Sequence, residues 1–290
     1  WDDALSRPAS NSPFFNVQAP HNFSVGNDWK QENEHVQHYF CDMLKYWVSE
    51  YHIDGYRFDL VKGLGNSDSY AGNYDGDRYN ASRIANMKRL ADAVWSVAPD
   101  GYVIQEAFTS LQEEIELGNY GVISWKNKNY SYRQSAMGYQ SGSGFDDMLA
   151  ANQGRPFASV VGYMESHDEE RMAFSQKSNG ATSIIKSNLR EQCYRLGSNA
   201  AFALLVPGPK MIWQFGEMGY DISGGNGDTS EKAPHWEYLD NSNRAQLHNR
   251  YMELLNLRRI APQLFDETAS FTFKASEGDW SAGRTLEAKA

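Results

Sequence analysis

Between residues 31 and 51 the apolar side chains Val36, Phe40, Met43, Leu44 and Trp47 recur at three- and four-residue spacing. That is the period of an amphipathic helix. The run 53–59 then reads as a strand, followed by a Gly/Asn/Asp loop at 66–79. A second amphipathic helix spans 81–98 and is stopped by Pro99-Asp100-Gly101, which leads into a short strand at 102–105 ending at Glu106. Further along, the pattern predicts a short helix at 111–117, a weak strand at 122–125, a helical stretch at 145–152 and a stronger strand at 158–164. A helix at 189–205, an apolar strand at 210–215 after Pro207-Gly208-Pro209, and a last long helix at 243–259 complete the series. Residues 1–29, rich in Asn, Ser, Pro and aromatics, show no period and read as loop or irregular subdomain, while the tail from Phe271 alternates like a β segment.

Strands that alternate with helices imply an α/β fold with a parallel sheet and helices outside it. An open dinucleotide-binding sheet is disfavoured because no GxGxxG follows the first strand. Polar and charged residues gather instead where successive strands end, which is where a TIM (β/α)8 barrel carries its active site. Five predicted strands are too few to close eight, so the expectation is a partial barrel, incomplete at its N-terminal side. Its span is 30–262, between the irregular 1–29 and a β-like 263–290.

Composition narrows the function classes. A chain of 290 residues with 41% hydrophobic and 13% aromatic residues can bury a large core. Its net charge of −10, with no Lys/Arg run, argues against a nucleic-acid partner. No apolar run approaches the ~20 residues of a membrane-spanning helix. Cys41 and Cys193 lie far apart without CxxC spacing and read as buried free thiols. The chain opens on Trp1 without a basic and apolar leader, which suggests a processed or truncated polypeptide.

Asp59, Glu106 and Asp168 carry the candidate chemistry. Each falls at or just beyond a predicted strand end, in "YRFDLVKG", "VIQEAF" and "VGYMESHDEERM". Taken singly, each reads as a loop-start carboxylate. A barrel, however, brings such ends to one face, and two carboxyl groups about 5–5.5 Å apart suit a retaining glycosidase. Arg57, two residues before Asp59, projects to the same side of its strand and can hold that carboxylate ionised. Glu106, between Val103-Ile104 and Ala107-Phe108, has the apolar setting that suits a proton donor. His167 beside Asp168 offers a donor to a sugar hydroxyl, and Lys62 reaches either a neighbouring sugar or a carboxylate. His35 and His38 on a helix read better as solvated histidines than as metal ligands. Asp75-Gly76-Asp77 lacks the other ligands of an EF-hand. Tyr163, Trp213 and Trp236 are open to stacking on sugar rings or to ordinary packing.

These segments resemble the motifs of the α-amylase family, glycoside hydrolase family thirteen. "GYRFD" is similar to its second motif, "IQEAF" to its third and "ESHDEE" to its fourth; "PGPKMIWQFGEMGYD" resembles its eighth strand, and "HWEYLD…LHNRYMELLNLRR" its last barrel helix. "SVGNDWKQENEHVQHYFCDMLKYWVSEYHIDGYRFDLVKG" resembles the approach to its fourth strand. The resemblance implies a retaining hydrolase of α-1,4-linked glucans such as starch and maltooligosaccharides. Asp59 would be the nucleophile held by Arg57, Glu106 the proton donor, Asp168 the transition-state stabiliser and His167 a sugar ligand. It implies strands four to eight of the barrel, with 1–29 as the tail of the inserted B subdomain and 263–290 as the start of a C-terminal β domain. Two departures qualify this. The family's first motif, an Asp and an Asn-His pair, does not occur, and Gly63 stands where many members carry a His whose carbonyl binds a structural calcium. The chemistry needs no cofactor, and the resemblance allows a structural calcium without supplying its full ligand set. Ser166 replaces the commoner Asn before His-Asp, as in branching enzymes, so an α-glucan transglycosylase stays open. A catalytically silent glycan-binding relative is the alternative from another class, and the resemblance suggests an extracytoplasmic setting.

Overall fold

A computed structural model describes residues 1–23, 26–224 and 231–290. Ser24 and Val25, inside the segment read as irregular and at the start of one quoted motif, lie outside the described residues. The chain divides into two compact units, Trp1–Trp125 and Lys126–Ala290.

The first unit contains helix α1 (Glu34–Tyr51), strand β1 (Gly55–Phe58), helix α2 (Ala81–Trp95), strand β2 (Tyr102–Gln105), helix α3 (Leu111–Tyr120) and the start of strand β3 (Ile123–Asn127). β1 runs parallel to β2, with Gly55 opposite Tyr102 and Phe58 opposite Gln105, and β2 runs parallel to β3. Gly55 permits this pairing: its φ is 151°, and a Cβ there would stand 2.1 Å from the Tyr102 carbonyl oxygen. Short polar side chains start the helices. Asn33, Asn80 and Ser110 each accept a hydrogen bond from a first-turn N–H, satisfying donors that have no partner within the helix. The apolar faces of α1, α2 and α3 meet β2 in a core that includes Leu44, Met87, Val94, Val103 and Leu117.

Within the predicted 66–79 loop and just before it, the chain forms two short 3-10 turns, Val61–Leu64 and Ser67–Tyr70. Tyr70 anchors them: its buried hydroxyl accepts from the Gly65 N–H at 2.7 Å and donates to the Lys62 carbonyl. The irregular N-terminal segment is tied in by a bridge between Phe15 and Trp29 and by the Lys30 N–H on Phe14 O at 2.8 Å.

The second unit contains helix α4 (Asn129–Met137), strand β4 (Val160–Tyr163), helices α5 (Met172–Asn179), α6 (Ser183–Ser187) and α7 (Leu189–Leu204), strand β5 (Lys210–Met211), helix α8 (Ser242–Ile260) and an antiparallel pair, β6 (Ser270–Lys274) and β7 (Thr285–Lys289). β4 and β5 are parallel, Gly162 facing Lys210. The core includes Tyr132, Phe145, Met172, Leu196, Leu204, Leu247, Tyr251 and Phe273. The order of elements and the parallel pairings within each unit are those expected of part of a (β/α)8 barrel.

Two expectations are corrected. The predicted helix at 145–152 is a pair of 3-10 turns, Asp146–Met148 and Ala150–Gln153. Here the Phe145 N–H is taken by the Ala275 carbonyl at 3.0 Å, and the Asn152 side chain donates to Asp146 O and Phe273 O, so partners distant in sequence replace a helical ladder. The predicted strand 210–215 stops at Met211, because Phe215 adopts a left-handed φ of 58° that opens the turn Gly216–Met218. Cys193 is buried and Cys41 half-buried, both as free thiols. No described helix is long and apolar enough to cross a membrane.

Candidate active site

In the first unit, Asp59 and Glu106 are the residues immediately after β1 and β2. Parallel pairing sets these two strand ends side by side: Phe58 is opposite Gln105, and the Glu106 N–H donates to Phe58 O at 2.9 Å. Arg57, inside β1, reaches both acids. Its Nη1 pairs with Asp59 Oδ1 and its Nη2 stands 2.7 Å from Glu106 Oε1. The guanidinium also lies over the Trp125 ring, 5.2 Å from its centroid, a position favourable to a cation. Glu106 is buried, and its second oxygen accepts from the Leu60 N–H at 3.1 Å. The Asp59 side chain is 76% exposed. One carboxylate therefore faces solvent and the other is enclosed, with one planar cation bridging them. The sharing with Glu106 is visible only once the two strands are paired.

An open pocket of about 230 Å³ adjoins Asp59, lined also by His21, Phe23, Asp28, Trp29 and Gly63. His21 stacks on Phe23 with ring centroids 4.1 Å apart, and its Nε2 stands 3.1 Å from Asp28 Oδ1. These residues come from the segment without periodicity, so no local pattern singled them out. Lys62 is not directed at the acids; its ammonium pairs with Asp77 in the polar loop.

In the second unit, Asp168 lies in the loop after β4, with His167 Nε2 at 3.3 Å from its Oδ1. Both side chains are half exposed, and the His167 ring is 6.0 Å from that of Trp213. The loop is held from beneath. The Asp168 N–H donates to Ser166 Oγ at 3.2 Å, and the buried Ser166 hydroxyl donates to Glu169 Oε2. Asn127, at the end of β3, donates its side-chain amide to the other Glu169 oxygen. Burial pushes the Glu169 carboxyl up, as does the charge of Asp168, against the hydrogen bonds from Ser166 and Asn127 and the nearby His167.

Of the stacking candidates, Tyr163 is buried in the core and Trp236 is largely exposed. His35 and His38 are both exposed on α1. Among the described residues no group of three or more His, Cys, Asp or Glu is gathered to hold a metal ion, and the carbonyl of Lys62 is taken by Tyr70 and by Arg83 at 3.4 Å.

Comparison with known proteins identifies the family and the fold. The alpha amylase catalytic-domain model matches residues 21–245. The glycogen operon protein GlgX homolog of Mycobacterium tuberculosis is 26% identical over 180 residues, covering 54% of this chain and 22% of that protein. The 1,4-alpha-glucan branching enzyme GlgB of Paraburkholderia xenovorans is 26% identical over 264 residues, covering 82% of this chain and 32% of its own length. The chain therefore spans only about a fifth to a third of these relatives. Among solved structures, an alpha-amylase from Geobacillus thermoleovorans complexed with acarbose superposes with a TM-score of 0.61 at 18% identity, covering 96% of this chain and 57% of that one. That likeness establishes the fold: this is part of a TIM barrel.

Proposed function

The chain belongs to the alpha-amylase catalytic-domain family, and from that premise we propose that it acts on α-1,4-linked glucans by retaining double displacement. The observation that carries the reading is the Arg57 guanidinium shared by two carboxylates at adjacent strand ends. In the first step the Asp59 carboxylate attacks the anomeric carbon, the glycosidic C–O bond breaks, and Glu106 gives its proton to the departing oxygen. Asp59 is then an ester and Glu106 a carboxylate, so the negative charge has moved from one partner of Arg57 to the other. A single cation in contact with both can follow it without reorganising. In the second step water attacks the same carbon, its proton passes to Glu106, and Asp59 is released. Asp168 binds hydroxyls of the distorted ring and His167 adds a further donor; no cofactor or metal enters these steps.

A second reading, an α-glucan transglycosylase, uses the same residues with a sugar hydroxyl in place of water. It is supported by the likeness to a branching enzyme and by Ser166 before His167-Asp168. The test compares Glu106→Gln and Asp59→Asn in the complete protein, on a maltooligosaccharide and on an α-glucosyl fluoride. Fluoride leaves with little protonation, so Glu106→Gln should release a burst of fluoride in the first step and then stall as the glycosyl enzyme, whose hydrolysis also uses Glu106, while losing oligosaccharide cleavage; Asp59→Asn should show neither burst nor cleavage. The opposite pattern would exchange the two roles, and chain-lengthened products from the unmodified protein would select the transglycosylase.

A further inference from the structure

The loop that carries Asp168 is fastened by a group the proposed chemistry does not use. Glu169 is half-buried and has both oxygens engaged, one by the Ser166 hydroxyl and one by the Asn127 amide. Ser166, in turn, accepts from the Asp168 N–H at 3.2 Å. Asn127 ends β3, and its own side-chain oxygen accepts from the Asn129 N–H at 2.9 Å at the start of α4, so it is itself fixed. The chain of contacts runs from a strand end through Glu169 and Ser166 to the backbone of Asp168, whose carboxylate is left half exposed with His167 beside it. A carboxylate with two donors aimed at it is worth more than a surface ion pair, because charge-assisted hydrogen bonds are strong where water is scarce. The charged groups facing Glu169 are Asp168 and His167 from its own loop; from β3 it meets the neutral Asn127.

We propose that Glu169 is the positioning residue for Asp168, holding it through Ser166 at the angle from which its carboxylate meets the sugar ring. This rests on the reading of Asp168 as the transition-state stabiliser. Glu169 touches no substrate. Its contribution is to keep a half-exposed loop acid from swinging, and a displacement of about 1 Å at such a group can cost on the order of a hundredfold in rate.

The experiment measures kcat and KM on a maltooligosaccharide for Glu169→Ala, Glu169→Gln, Ser166→Ala and Asp168→Asn in the complete protein, with thermal unfolding of each. The expected result is a fall in kcat of roughly 10- to 100-fold for Glu169→Ala with KM changed little, because the loss falls on the transition state. Glu169→Gln keeps the volume and one acceptor, so it should lie between, and it serves if the alanine variant folds poorly. Adding Glu169→Ala to Ser166→Ala should cost almost nothing more, since both break one relay. If Asp168→Asn is inactive while both Glu169 variants keep the full kcat, this inference is wrong and the reading of Asp168 stands. Full additivity of the two relay substitutions also overturns it. Full activity of Asp168→Asn overturns both together.

Discussion

Two arginines in the first unit each meet carboxylates, and they differ in almost every other respect. Arg83 and Glu113 are both 0% exposed, joined by two parallel hydrogen bonds of 2.6 and 2.8 Å. The remaining capacity is used internally: Arg83 donates to the carbonyls of Arg78 and Lys62, and Glu113 accepts from the Asn80 N–H. Arg57 divides its fork between two acids, one of them 76% exposed. The first arrangement closes every valence and ties α2, α3 and the loop after β1 together. The second leaves a carboxylate facing solvent beside a pocket, where a substrate can compete for it. Complete satisfaction marks architecture, and a deliberately unfinished ion cluster marks a place where chemistry can happen.

The contrast is sharpened most by removing an acid from the closed pair. Glu113→Ala leaves a buried guanidinium without its partner and should cost about 3–5 kcal/mol of stability, read as the shift in a urea unfolding curve. If the variant unfolds no more easily than the parent, the pair is not the tie that its burial suggests. Arg57→Lys is the complementary change. It keeps the charge but loses the planar fork that spans two carboxylates. Stability should move by less than about 1 kcal/mol, as for other partly exposed pairs, while kcat falls on the order of tenfold or more. A large stability loss with unchanged kcat would place Arg57 with Arg83 as a structural cation.

A third cation tests burial without any carboxylate. The Lys210 ammonium donates to the carbonyls of Pro207, Gly208 and Pro209 at 3.0, 3.3 and 3.2 Å. Burial, with the charge of Arg258 added, pulls its pKa down to about 7 from 10.5. The folded state therefore releases this proton before the unfolded state does. Between about pH 7 and 10.5 the unfolded chain binds more protons, so stability from this group rises with pH and is lost as pH falls through 7. Relative to Lys210→Met, the parent should gain roughly 1 kcal/mol between pH 7 and pH 8. Parallel pH profiles for the two proteins would remove the distinction between a lysine held by carbonyls and an arginine held by a carboxylate.

The alternation of strand and helix, the strand ends at Asp59 and Glu106, and the pairing of Arg57 with Asp59 were legible in the chain. They depend on periodicity and on i, i+2 spacing, which are local. Helix α4 is hard to read from NYSYRQSAM because its buried residues, Asn129, Ser131, Tyr132, Ala136 and Met137, mix polar with apolar side chains and give little apolar contrast. The helical pattern at 145–152 misled because Phe145 and Asn152 find their hydrogen-bond partners near β6, more than a hundred residues away.

By itself, then, the sequence determined which residues end the strands and which side chains share a strand face, since the backbone's own periods decide those. Tertiary structure decided where the side chains find their partners. Glu106 joins Arg57 only because β1 and β2 pair in the register Phe58 to Gln105, and Lys62 is taken by Asp77 because the loop folds back on its buried Tyr70. Ser166 and Glu169 acquire their role from Asn127, about forty residues earlier. Hydrogen bonds are short-ranged and directional, so partners distant along the chain become definite only after packing has brought them within about 3 Å.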